Sequence, residues 1–201
     1  MERSKKMIVY KTLDEIKKIK KANEIIARLF EDILPKYIKA GISTYELDKI
    51  SEDYIRTQGA IPGTKGYDIG RPYPPYPAST CISVNETVVH GIPDKKIILK
   101  NGDIVSIDTV TVLDGYFGDA AITYAVGEID EESKKLLEVT EKARDLGITY
   151  AVKGNRIGDI SHAIQEYVES FGFSLVRDFA GHGVGKEMHE DPMVPNYGKA
   201  G

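Results

Sequence analysis

The sequence predicts an α/β domain built of two similar halves, each a pair of amphipathic helices with its own strands. Two observations carry that expectation. Helical and strand-like periodicities follow one another in the order helix, helix, strands, helix, helix. The two helical regions also match at an offset of 113 residues: Gly41 falls on Gly154, Glu46 on Asp159, Leu47 on Ile160, Tyr54 on Tyr167, Ile55 on Val168 and Gly59 on Gly172. A duplication of that kind implies halves that each bury their helices on their own strands.

The elements follow in order. Residues 13–34 place Leu13, Ile16, Ile19, Ile26, Leu29, Phe30 and Ile33 on one helical face, and Thr12 with Glu15 forms a capping-box start. A second helix over about 44–58 opens at Ser43 with Glu46 three residues on, and stops before Gly59. "IPGTKGYDIGRPYPPYP", residues 61–77, is too rich in Pro and Gly for regular structure and reads as a long, functional loop. "TCISVNETVVHGI" alternates like a strand pair, and "DIVSIDTVTVL" and "YFGDAAITYAVG" read as two more strands. Helices return at about 131–152 and 158–171, the last ending before Gly172. The expectation is one domain over 1–201, with a first half at about 8–127 and a second at about 128–201 that lacks its last strands.

Composition narrows the function. At 41% hydrophobic residues the chain can build an ordinary core, which excludes a disordered protein. A net charge of −4 from 27 basic and 31 acidic residues, interspersed, gives no nucleic-acid footprint and no polybasic membrane patch. Small-molecule or peptide ligands fit better. The single Cys81 excludes an intrachain disulfide, "MERSKKMIVY" lacks the apolar run of a secretory signal, and no apolar run approaches the roughly 20 residues that span a bilayer. The expected address is the cytoplasm.

The chemistry starts in "DTVTVLDGYFGD", residues 108–119. If Asp114-Gly115 is a two-residue turn, Leu113 pairs with Tyr116, Asp108 faces Ala121, and Asp119 faces Val110. Asp108 and Asp119 then become diagonal neighbours on one face, about 7–8 Å apart at Cα. An unpaired anion among Val and Ala would cost several kcal/mol, and a divalent cation would resolve that. The alternatives are a solvated face, pairing with Lys or Arg, or a turn cap. His182 and His189 lie in "GHGVGKEMHE", where Gly181, Gly183 and Gly185 permit close backbone approach to a ligand. His90, in "VVHGIP", precedes Gly and Pro and on its own reads as a strand-end residue. His162, inside a helix, reads as structural.

Together "VNETVVHGIPD", "DIVSIDTVTVLDGYFGDAA" and "GHGVGKEMHEDPMVPNYG" resemble type I methionine aminopeptidases, from about residue 8 to the end. The resemblance implies a pita-bread fold, two pseudo-symmetric α/β halves around a dinuclear metal site. It implies two divalent metal ions (Co, Mn, Fe or Zn), one bound by Asp108, both bridged by Asp119, the second ligated by His182. Such a pair supplies an activated water and stabilises the tetrahedral oxyanion in amide hydrolysis. His90 would contact the scissile amide near its nitrogen and His189 the substrate carbonyl oxygen. Tyr73, Tyr76, Cys81 and Met188 would line a narrow pocket for the methionine thioether, with core packing as their other reading. Asn85 would contribute to a monovalent cation site. The implied substrates are nascent polypeptide N-termini with a small second residue, met at the ribosome, and the implied state is a monomer with no nucleic acid or membrane partner.

The sequence departs from the family pattern in two places. Pro74-Pro75 stands where most relatives have a glycine between the two pocket aromatics, and the preceding loop is longer. Relatives also complete the site with two later glutamates, one in a "TIEP"-like strand, and neither occurs within these 201 residues. These 201 residues alone are therefore expected to bind metal weakly and to show little activity. Two other readings share the fold: an X-Pro aminopeptidase or prolidase, and a binding module without catalysis.

Overall fold

A computed structural model describes residues 8–201; the first seven residues of "MERSKKMIVY" lie outside the described residues. The chain forms two compact units. The larger holds Tyr10–Ile129 and Val184–His189, the smaller Asp130–Gly183 and Glu190–Gly201 with Ile8 and Val9.

In the larger unit, helix α1 spans Leu13–Arg28 and starts at the expected capping box: the Thr12 hydroxyl accepts the Glu15 N–H, and the Glu15 carboxylate accepts the Thr12 N–H. The helix does not run unbroken to residue 34. It widens to a π-type turn at Leu29–Ile33 and tightens to a 3₁₀ turn at Leu34–Lys36. Pro35 has no N–H to give, and its ring opposes the carbonyl four residues back, so the ladder is re-spaced there. The buried stripe begins only at Ala22, continuing through Ile25, Ile26, Leu29 and Phe30, while Leu13 and Ile16 stay exposed. The Glu15 carboxylate accepts the Tyr116 hydroxyl at 3.0 Å. Helix α2, Thr44–Thr57, begins at Ser43 with the Glu46 capping box and ends before Gly59, whose φ is +75°.

The strands are β1 (Ile61–Pro62), β2 (Thr80–Val84), β3 (Ile104–Leu113) and β4 (Tyr116–Ala125). All pair antiparallel; β1 and β2 share one edge of β3, and β4 takes the other. The expected turn is observed: Asp114 and Gly115 have φ of +51° and +77°, the left-handed pair that a two-residue hairpin needs. The register is likewise as expected, with Leu113 opposite Tyr116, Asp108 opposite Ala121 and Val110 opposite Asp119.

Two local expectations fail. The 61–77 loop begins as the short strand β1, because Ile61 and Pro62 find an unoccupied stretch of the β3 edge. "TCISVNETVVHGI" yields only β2; Asn85, Val89 and His90 have φ of +51°, +47° and +54°, and a pleat cannot continue through left-handed residues.

One face of this sheet carries Ile82, Val105, Ile107, Ile122 and Tyr124, and it packs with Ile26, Leu29, Leu34, Leu47 and Ile55 from the helical segments. Each fully buried aliphatic side chain contributes about 1.5–3 kcal/mol. Gly118 brings α1 onto β4, since a Cβ there would lie 2.7 Å from backbone atoms of Ala22 and Asn23. That contact lets the Asn23 side chain accept the Asp119 N–H at 3.1 Å and the Thr111 hydroxyl donate to the Ala22 carbonyl at 2.9 Å.

In the smaller unit, α3 (Glu131–Tyr150) starts at an Asp130 cap, and α4 (Ile157–Ser170) packs against it through Val139, Ala143 and Val168. Two further strands, β5 (Ala180–Gly183) and β6 (Glu190–Pro195), pair antiparallel. Their Gly- and Pro-rich sequence carries no strand signal. The repeat is one of backbone geometry. α2 and α4 are both 14 residues long and begin and end 113 positions apart. Left-handed glycines bracket both, Gly41 and Gly154 at φ +94° and +104° before them, Gly59 and Gly172 at +75° and +80° after them.

Candidate active site

The face of the sheet opposite the helices carries the acidic pair. Side chains alternate along each strand, so the register places Cys81, Ser83, Ser106, Asp108, Val110, Asp119, Ala121 and Thr123 together there. Cys81 lies directly across from Asp108 on one side, and Ala121 on the other. Ser106 and Thr123 hydrogen-bond each other at 2.8 Å, beside the carboxylates. Burial pushes the Cys81 thiol up to about 12, and the charges of Asp108 and Asp119 push the same way, against the effect of the neighbouring Tyr76 hydroxyl. The thiol therefore stays protonated at neutral pH. The charged donors of this face are carboxylate oxygens, a set that suits a divalent cation. Among the described residues no group of three or more His, Cys, Asp and Glu stands gathered to hold a metal ion, so the hairpin supplies two donors rather than a finished cage.

A buried carboxylate on α2 fixes the start of β2. One oxygen of Asp48 accepts the Ser79 N–H, the Thr80 N–H and the Thr80 hydroxyl, each at 2.9 Å. Burial raises the Asp48 carboxyl above the usual range in spite of those bonds. The same strand then delivers Cys81 to the acidic face.

The 61–77 loop is anchored at its entry. Lys65 reaches both oxygens of Glu52 at 2.9 Å, and Arg56 and Lys49 join them. Burial would raise the Glu52 carboxyl, but the hydrogen bonds from Lys65, Arg56 and Lys49 outweigh it and hold it down at about 2. A folded pKa below the unfolded one gives stability that is complete above about 4.5 and is lost as pH falls towards 2. Glu52→Gln should flatten this part of the acid limb in thermal melts between pH 5 and roughly pH 2. An unchanged pH dependence would show that the cluster contributes nothing.

Beyond Lys65 the loop closes on itself. The Gly66 N–H donates to the Tyr76 carbonyl, and the Tyr76 N–H to the Tyr67 carbonyl, both at 2.8 Å. Residues 67–76 are thus an excursion with a hydrogen-bonded neck. From that neck the Tyr67 hydroxyl meets His189 Nδ1 at 2.8 Å, with the two rings 5.4 Å apart. The Tyr76 hydroxyl donates to the Gly91 carbonyl at 2.8 Å. Gly91 is clamped further: its carbonyl accepts the Ile82 N–H at 2.8 Å, and its N–H donates to the Ser83 hydroxyl at 3.1 Å. His90 precedes this clamp in left-handed backbone.

The remaining residues read as follows. Met188 is buried, and its neighbour Gly185 accepts the Phe117 N–H at 2.8 Å, which lays the 184–189 segment on β4. Tyr73 is 64% exposed in the loop excursion. Asn85 donates to Asp103 at 2.9 Å and accepts the Ile104 N–H at 3.0 Å, locking the end of β2. His182 sits on β5 in the smaller unit with Nδ1 3.0 Å from the Gly183 carbonyl. His162 contacts the Gly198 carbonyl and Glu166 in that unit. Tyr67 carried no sequence signal, because its partner lies 122 positions away.

Comparison with known proteins settles the family. Residues 17–201 match the model of metallopeptidase family M24. A methionine aminopeptidase of Clostridium acetobutylicum is 51% identical over 195 residues, which is 97% of this chain and 75% of the relative. This chain belongs to the methionine aminopeptidases of family M24. Methionine aminopeptidase 1 of Bacillus subtilis is 52% identical over 96% of the chain and 74% of its own length. The solved methionine aminopeptidase of Rickettsia prowazekii superposes with a TM-score of 0.90 at 38% identity, covering 97% of this chain and 75% of that one. The fold is the pita-bread fold of metal-dependent hydrolases. A prolidase of Pyrococcus furiosus is a more distant neighbour, with a TM-score of 0.78 at 25% identity over 94% of this chain and 52% of its own. No helix among the described residues is long and apolar enough to cross a membrane.

Proposed function

We propose that this methionine aminopeptidase removes the initiator methionine from nascent chains whose second residue is small, in the cytoplasm, as a monomer working at or near the ribosome. The carrying observation is the register that sets Asp108 and Asp119 on one sheet face beside Cys81. When bound there, a divalent pair activates water and polarises the scissile carbonyl.

Asp108 and Asp119 would hold the metal centre, with His182 as its nitrogen ligand. His189, oriented by Tyr67, donates to the substrate carbonyl oxygen, and His90 stands at the scissile nitrogen. Cys81, kept as a neutral thiol, with Tyr76, Met188 and Tyr73 offers soft apolar contacts to the methionine side chain. A monovalent cation at Asn85 would share the side-chain oxygen that accepts the Ile104 N–H, which has a second lone pair.

The deciding experiment compares Met-Ala-Ser with Ala-Pro substrates, using protein expressed from its whole reading frame, with and without a chelator. Metal-dependent cleavage of Met-Ala-Ser, at least tenfold faster than Ala-Pro, is expected. Preference for Ala-Pro would favour the prolidase reading, and metal-free protein without turnover the binding module.

A further inference from the structure

We infer that the neck of the 67–76 loop is a positioning device for both histidines: Tyr67 orients His189, and Tyr76 holds the peptide that carries His90. The inference rests on the proposed function for what the histidines do, but its geometry is independent of it.

Tyr67 and Tyr76 are joined through their backbones, the Tyr76 N–H donating to the Tyr67 carbonyl at 2.8 Å. Their hydroxyls then part. The Tyr67 hydroxyl lies 2.8 Å from His189 Nδ1, so it restrains the ring's rotation through that nitrogen. The Tyr76 hydroxyl donates to the Gly91 carbonyl at 2.8 Å, the third contact of a peptide already held by Ile82 and Ser83. That fixation is needed because Val89 and His90 have φ of +47° and +54°, a conformation that L residues, and β-branched Val above all, adopt only when held. Lys65, paired with Glu52 one residue before the neck, gives the device a fixed base on α2. The long Pro-rich excursion at 68–75 can therefore vary without moving either histidine.

The alternative is that both rings serve only as pocket walls. Phenylalanine separates the two roles, since it keeps the ring and removes the hydroxyl. Tyr67→Phe and Tyr76→Phe are compared with the wild type, each in the whole protein loaded with divalent metal and given Met-Ala-Ser. Each variant should lose about tenfold in kcat with KM within a factor of two, as expected for a misplaced acid–base group rather than a lost binding wall. Long-range ¹H–¹⁵N spectra of the imidazoles provide the second readout. Tyr67→Phe should shift the His189 nitrogens and leave His90 in place; Tyr76→Phe should do the reverse. Unchanged imidazole spectra in both variants would overturn the inference, whatever the activities. Shifted spectra in a protein that never cleaves Met-Ala-Ser would leave the positioning device standing and sink the proposed substrate instead.

Discussion

Gly91→Ala should cost about 2–4 kcal/mol of stability and lower the thermal midpoint by roughly 4–16 °C, the span expected from overpacking plus lost hydrogen bonds in a domain of this size. The reason is space, not backbone conformation. A Cβ at position 91 would lie 2.2 Å from the Ile82 carbonyl oxygen, 2.8 Å from its carbon and 3.0 Å from Ser83 Cα. All three are backbone atoms of β2, so no side chain can swing away. Either β2 leaves its register with β3 or the 85–91 segment lifts off, and the second route is cheaper because that segment has no strand partner of its own. Lifting it breaks the bonds from Ile82, Ser83 and Tyr76 to Gly91 and carries His90 away with them. A displacement of about 1 Å at a reacting group can lower turnover on the order of 10²-fold. Circular dichroism melts and turnover of Met-Ala-Ser check both parts. A midpoint within 2 °C of wild type, with activity kept, would show that Gly91 has room that its surroundings do not reveal.

Asp119→Asn should remove the stabilisation that metal gives. Asp119 is held through its backbone, whose N–H donates to Asn23, and its carbonyl-side neighbours stay locked in the β3–β4 register whatever the side chain. Asparagine is isosteric, so it keeps the shape of the side chain while removing its charge. The effect appears on titration with Co²⁺ or Mn²⁺. Wild-type protein at 100 times its dissociation constant should gain about 2.7 kcal/mol, and losing a carboxylate donor should remove most of that gain. Asp108→Asn should behave alike. Equal metal-induced shifts in wild type and both variants would place the ion elsewhere.

Much of the site was legible in the chain because it is local. The turn at Asp114-Gly115 fixes the register of β3 and β4 through residues next to one another in sequence, and that register alone sets Asp108 and Asp119 diagonally on one face. The Thr12 and Ser43 capping boxes are equally local, each a three-residue exchange. The lost second strand of "TCISVNETVVHGI" shows the opposite case. Val88 and Val89 favour strand, yet the approach of Gly91 to Ile82 imposes left-handed backbone just before it. Propensity lost to a tertiary contact there. Tyr67 was invisible for the same reason, its partner His189 being far along the chain. The strands β5 and β6 form from Gly- and Pro-rich residues that carry no β signal.

The sequence by itself determined the two-helix repeat, the hairpin and its acidic pair, and the motifs that mark the family, because periodicity, turn chemistry and cap residues act over a few positions. Only the tertiary structure decided which face of the hairpin stays clear of the helices, how Cys81 comes to lie beside Asp108 as a protonated thiol, and how the loop neck reaches both histidines. Those outcomes depend on burial and on hydrogen bonds between residues distant in the chain. Neither is written in any short stretch of it.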